Sequence, residues 1–148
     1  VFDDRSFFES LRIEPYYAYT ATRVRAADAF LLALIDATRL RRLTMGHGDF
    51  SPKNILVCTR PVDSGRARSG GLVLLDHEVI HFGDPAFDLG FSLAHLLSKA
   101  RHVAERRVEF TAAAQTYWAA YRGSLADVPW AGDVEPWAVR HGLAPRPA

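Results

Sequence analysis

Residues 47–54 read His-Gly-Asp-Phe-Ser-Pro-Lys-Asn, and residues 76–81 read Asp-His-Glu-Val-Ile-His. Two chemistries compete for these side chains. His77-Glu78-Val79-Ile80-His81 has the form H-E-x-x-H, in which two histidines one helical turn apart bind zinc and the glutamate serves as general base. Glu105, further along the chain, is available as a third ligand. The context works against this zinc-peptidase reading. The motif needs a continuous helix, yet it directly follows the strand-like run 72–75, and Phe82-Gly83-Asp84-Pro85 would end a helix within two residues. The second chemistry is a metal–phosphate site. Asn54 immediately precedes one short apolar run and Asp76 immediately follows another. In an antiparallel hairpin those two positions lie at the same end, so an amide oxygen and a carboxylate converge as oxygen ligands for a hard cation such as Mg²⁺. Asp49 lies in the loop at that same end, free to receive a proton or to orient a hydroxyl nucleophile. Asn54 is the single asparagine of the chain. His-Gly-Asp-x₄-Asn is therefore about fifty times rarer by chance here than H-E-x-x-H.

The elements that must position these residues can be read from periodicity. Residues 23–43 are helical, with Phe30, Ala33, Leu34, Ala37 and Leu40 recurring on one stripe that Leu31 and Ile35 widen. Residues 55–58 and 72–75 are short apolar strands, joined by an Arg-, Ser- and Gly-rich connection over 59–71, and they pair antiparallel. After the turn Gly83-Asp84-Pro85 a largely apolar helix begins. A third helix covers 103–122, with Phe110, Ala113, Ala114, Tyr117, Trp118 and Tyr121 on its buried face. Residues 1–19 are expected to bend around Glu14-Pro15-Tyr16-Tyr17. Residues 123–148, with Trp130 and Trp137, are expected to be an irregular tail. The fold class is α+β, mainly α, in a single domain over residues 1–148.

Composition narrows the function classes. Nearly half of the 148 residues (49%) are hydrophobic and the formal net charge is +1, so a core is affordable and no overall field draws the chain to nucleic acid. The longest apolar run, residues 29–35, is far shorter than the ~20 residues of a membrane span. Residues 1–4 carry two aspartates and no basic region of a secretory signal. One cysteine, Cys58, permits neither an internal disulfide nor a cysteine zinc cluster. A cytoplasmic chain without nucleic-acid or membrane partners is expected. The basic residues are sixteen arginines and two lysines, Lys53 and Lys99, scattered rather than striped.

Taken together, residues 47–54, Asp76-His77-Glu78 and Gly83-Asp84-Pro85-Ala86-Phe87-Asp88-Leu89 resemble three segments of the aminoglycoside phosphotransferase and choline-kinase-like small-molecule kinases. These share the protein-kinase fold. The segments correspond to a catalytic loop, the metal-binding Asp-x-Glu and a Gly-Asp-Pro-x-x-Asp-Leu segment, in the same order. The resemblance covers residues 43–97 and, more loosely, the flanking helices. It implies a protein-kinase-like C-lobe with a small antiparallel hairpin carrying the catalytic and metal-binding loops. It implies ATP-dependent phosphorylation of a hydroxyl on a small molecule, with Mg²⁺ and ATP bound. Asp49 would orient the acceptor hydroxyl, and Ser51 would stand where protein kinases carry a phosphate-contacting lysine. Asn54 and Asp76 would hold Mg²⁺ under the nucleotide phosphates, with Glu78 on a second metal or a metal-bound water. Leu56 would floor the adenine pocket, the alternative being plain core. His47 would brace the loop, and Asp88 would hydrogen-bond the loop's backbone amides.

The two histidines of the competing motif then become bystanders, and His95 reads as a core histidine. Tyr16, Tyr17 and Tyr19 border an acceptor site or simply pack. Glu105, Glu109, Asp127, Asp133 and Glu135 form no dense acidic cluster of the kind that meets cationic aminoglycosides, so the acceptor stays open. Residues 1–45 read as helix and loop, with no G-x-G-x-x-G and no lysine upstream of the catalytic loop. The resemblance therefore implies a C-lobe whose N-lobe is expected from an upstream segment, with little ATP turnover by these residues alone. A non-catalytic, truncated C-lobe is the alternative.

Overall fold

The computed structural model describes residues 2–58, 71–125 and 127–143. Its first helical stretch runs as α1 (Ser6–Phe8), a π-helix (Glu9–Ala18) and α2 (Tyr19–Arg23). The bend expected at Pro15 is absent, because the chain passes through it in π-helical geometry. In an α-turn the proline ring would meet the carbonyl four residues back; the wider i→i+5 turn relieves that clash. Phe8, Ile13, Tyr17 and Ala21, four or five residues apart as that wider turn requires, are buried together. They pack on Leu31, Leu34 and Ile35 of α3 (Asp28–Leu40) and on Phe87 and Phe91. The buried stripe of α3 is Leu31, Leu34, Ile35 and Thr38, rotated from the expected one: Phe30 and Leu40 are exposed. Thr38 tolerates burial because its hydroxyl donates to the Leu34 carbonyl at 2.7 Å.

Among the described residues, four three-residue strands form two antiparallel pairs. β1 (Thr44–Gly46) pairs with β4 (His81–Gly83), and β2 (Ile55–Val57) pairs with β3 (Leu72–Leu74). The second pair is the expected hairpin, and most of its expected connection (residues 59–70) lies outside the described residues. The hairpin is not core. Leu56 is 51% exposed, and Val57, Leu72 and Val73 are also open, which overturns the plain-core reading of Leu56.

The remaining helices are α4 (Pro85–His102), α5 (Arg107–Ser124) and α6 (Ala131–Leu143). Asp84 caps α4 by accepting the Ala86 amide at 3.0 Å, with Pro85 at the first position. The irregular tail expected over 123–148 is corrected by α6, which continues through Pro136. Val134, Ala138 and His141 of α6 are fully buried, and Val134 and Ala138 cluster with Ala86 and Leu89 of α4. Gly90 permits this approach: a Cβ there would lie 2.6 Å from the Ala138 carbonyl oxygen. His141 ties three elements, with Nδ1 3.0 Å from the Tyr17 hydroxyl and Nε2 3.3 Å from the Thr38 hydroxyl. Tyr17 is thus core, while Tyr19 is exposed. On α5 only Ala114 of the expected face is fully buried; Tyr117, Trp118 and Tyr121 are half-buried and Ala113 is exposed. No helix among the described residues is long and apolar enough to cross a membrane.

Candidate active site

The loop from His47 to Asn54 connects β1 to β2 and is fixed from behind by α4. The Asp88 carboxylate, in the first turn of α4, accepts the His47 amide at 2.6 Å and the Gly48 amide at 2.8 Å. Burial pushes the Asp88 carboxyl above the ordinary carboxylate range, against the opposing pull of these N–H groups. Gly48 has φ +77°, and a Cβ there would sit 2.7 Å from the Val79 carbonyl oxygen, so both conformation and space require glycine. The His47 ring lies 2.9 Å from the Leu75 carbonyl through Nε2 and accepts the Asp49 amide on Nδ1 at 3.3 Å. A neutral ring protonated on Nε2 satisfies both bonds. Phe50 is held through its carbonyl by the Ser92 hydroxyl, and its ring stacks 6.4 Å from that of Tyr117. Burial pushes the Tyr117 phenol up to about 12.

Asp49 is the focus of the loop, at 3% exposure. Three donors converge on its Oδ2: Asn54 Nδ2 at 2.8 Å, Arg12 Nη2 at 3.1 Å and Lys53 Nζ at 3.3 Å. Asn54 Nδ2 also donates to the Asp49 carbonyl at 2.9 Å. The amide's hydrogens are thereby committed, and its oxygen is the atom left for another partner. Arg12 is buried in the π-helix and donates as well to the Gly48 carbonyl (3.0 Å, from Nε) and the Leu11 carbonyl (2.9 Å). Sequence reasoning missed Arg12. Its signal was a charge on a stripe otherwise made of Phe8, Ile13 and Tyr17.

The hairpin brings Asn54 and Asp76 to one end. Ile55 faces Leu74, and the Leu75 amide donates to the Asn54 carbonyl at 2.9 Å, so Asp76 follows directly on a residue bonded to Asn54. Asp76 is exposed and has φ 65°, the left-handed region that aspartate tolerates better than most residues. Glu78 is exposed in the turn that follows. An uncommitted amide oxygen beside an exposed carboxylate suits a hard divalent cation that keeps other oxygen ligands of its own. No group of three or more His, Cys, Asp or Glu among the described residues is placed to hold a metal ion.

The objection raised to the zinc motif holds, and the expected presentation of Ser51 is corrected. Residues 77–81 are not helical: Glu78 and Val79 form a turn, and His81 lies in β4. His81 is buried against the Phe8 ring at 3.9 Å, while His77 is exposed and lies 5.1 Å from the His47 ring. The pair therefore points into different environments and cannot act as a one-turn zinc clamp, and Glu105 sits exposed before α5. Ser51 is 0% exposed and its hydroxyl has no hydrogen-bond partner among the described residues. It is therefore not presented to a bound phosphate in this conformation. The positive charge near Asp49 comes instead from Arg12 and Lys53. His95 is half-buried, with its ring 4.8 Å from that of Phe91.

Asp49 is buried and fixed, Asn54 and Asp76 lie at one end of the β2–β3 pair, and Asp88 pins the loop that carries Asp49. The sequence matches the phosphotransferase enzyme family (APH) over residues 3–124, and the chain belongs to that family. No curated protein and no solved structure matches it.

Proposed function

We propose that the chain is a small-molecule kinase lobe, protein-kinase-like in arrangement, that transfers the terminal phosphoryl group of ATP to a hydroxyl. The observation that carries this reading is the convergence on Asp49. Its Oδ2 takes all three donors, which leaves Oδ1 to accept from an acceptor hydroxyl. Phosphoryl transfer asks for positioning and charge stabilisation more than covalent chemistry. Asp49 is held in one orientation by Asn54, and the loop that carries it is held by Asp88. The guanidinium of Arg12 and the ammonium of Lys53 place positive charge beside the carboxylate.

Asn54 and Asp76 are the residues that would hold Mg²⁺, and Glu78 stands next to them. The ion would supply charge neutralisation at the nucleotide phosphates. His47 braces the loop against the end of β3. Leu56, exposed on the hairpin, offers an apolar surface suited to a nucleotide base.

The test is calorimetric titration with a non-hydrolysable ATP analogue, with and without Mg²⁺. Binding that needs Mg²⁺ and is lost in Asp76→Ala is the expected outcome. Nucleotide binding indifferent to Mg²⁺ and to Asp76→Ala, or no binding, would sink the reading.

A further inference from the structure

A cavity of about 350 Å³ opens beside the catalytic loop, lined by Pro52, Lys53, His95, Leu96, Lys99 and Phe110. The chain has only two lysines, and both line this one cavity. His95 and Lys99 are one turn apart on α4 and share a face. The Arg106 guanidinium lies 5.9 Å over the Phe110 ring but is paired with Glu109 at 3.8 Å, so the charge of this site is that of its two lysines. No aspartate or glutamate is among the lining residues. Lys53 links the cavity to the loop, because its ammonium also reaches Asp49 Oδ2 at 3.3 Å. Leu96, Phe110 and Pro52 supply apolar surface. A concave site lined by two ammonium groups and no carboxylate concentrates anions and repels cations. Polar groups at the edge of an apolar pocket fix the orientation of what binds there.

We propose that this cavity is the acceptor subsite and that the acceptor is an anionic hydroxy compound. Its carboxylate or phosphate group is gripped by Lys53 and Lys99, and its carbon skeleton lies on Leu96 and Phe110. The inference rests on the phosphotransferase reading and adds the substrate class, which is the reverse of a polycationic amino sugar. In the transfer, the acceptor oxygen forms a bond to the γ-phosphorus while the bond to the bridging oxygen breaks. The electron pair leaves with ADP, and the hydroxyl proton passes to Asp49.

The experiment compares three probes of one shape by calorimetry on the chain: 3-phenyllactate, its uncharged amide, and the cationic amino alcohol phenylalaninol. Phenyllactate is expected to bind at least tenfold more tightly than either of the others. Lys99→Gln is expected to weaken it at least fivefold and Lys99→Arg to restore it. Equal binding of the three, tightest binding of phenylalaninol, or indifference to Lys99→Gln would overturn the subsite. Displacement of phenyllactate by glycerol 3-phosphate separates a phosphate from a carboxylate as the anion preferred. Titration with Mg²⁺ and nucleotide on the same sample keeps the two readings apart. Nucleotide binding without phenyllactate binding defeats the subsite alone, and the opposite result defeats the phosphotransferase reading while leaving an anion pocket.

Discussion

Arg12→Met removes the guanidinium from the buried carboxylate of Asp49 while keeping a side chain that fills the space. Breaking a buried ion pair by deleting one partner costs about 3–5 kcal/mol, because the remaining charge is left without its counterpart. Asp49 keeps the amide of Asn54 at 2.8 Å and the ammonium of Lys53 at 3.3 Å, but Lys53 is 65% exposed and its attraction is weakened by solvent. The lost bond to the Gly48 carbonyl, 3.0 Å long, adds to the deficit. The loss is therefore expected near the lower end, about 3 kcal/mol, a large share of the ~5–15 kcal/mol that a domain possesses. In urea unfolding, with a slope of about 1–3 kcal/mol/M, the midpoint should fall by about 1–3 M. Asp49→Asn in the same chain removes the charge that needs a counterpart. The double variant should therefore be less destabilised than the two single losses added, with a coupling of about 1–3 kcal/mol. A loss below about 1 kcal/mol for Arg12→Met, or additivity within about 0.5 kcal/mol, would refute the claim that this pair fixes the Asp49 carboxylate.

Gly48→Ala should cost upwards of about 2 kcal/mol, since a left-handed backbone and a collision with Val79 act together; a change below 0.5 kcal/mol in urea unfolding (roughly the scatter of neutral sites) would contradict this. Burial holds the His81 imidazole below its usual 6.5, against its bond to the Val79 carbonyl. The unfolded chain thus takes up a proton that the folded chain refuses, so stability present above about pH 6.5 falls as pH drops towards the folded value, with a slope of at most about 1.4 kcal/mol per unit from this group. His81→Gln should flatten that slope between pH 7 and 5, and an unchanged slope would show that the proton is taken up elsewhere. Asp84→Ala removes both the α4 cap and the 2.6 Å partner of Arg41, and a loss of about 2–3 kcal/mol in thermal unfolding is expected, against about 1 kcal/mol if only the cap matters.

What the sequence disclosed was local. The order loop, strand, strand, turn and helix around residues 47–102 needs only short-range signals: Gly48, a proline at the start of a helix, and two β-branched or leucine-rich runs. β1 was missed because Thr44-Met45-Gly46 is too short to show alternation, and it exists as a strand only because β4 lies opposite. α6 was missed because Pro129 and Pro136 look like breakers, whereas burial of Val134, Ala138 and His141 against α4 outweighs the missing hydrogen bond. The rotated stripe of α3 follows the same rule, since Thr38 is selected over Leu40 by its partners and not by its hydropathy. Arg12 could be placed only by tertiary contact, because its partner is 37 positions away in the chain.

The distribution of buried polar groups makes an argument that fold stability alone does not. The cluster around Phe8, Leu31 and Phe87 is apolar, and most of the charged burial lies elsewhere. Arg12 with Asp49, Arg41 with Asp84, and Asp88 under the amides of His47 and Gly48 all gather on the short segments around the loop 47–54. Buried ion pairs of this kind are seldom better for stability than apolar residues of equal volume, and a half-buried carboxylate such as Asp88 is desolvated at a cost. A sequence selected only to fold would have little reason to concentrate them there. The proposed function supplies that reason, since a transfer in which one carboxylate oxygen is held still and the other meets a substrate requires orientation within a fraction of an ångström.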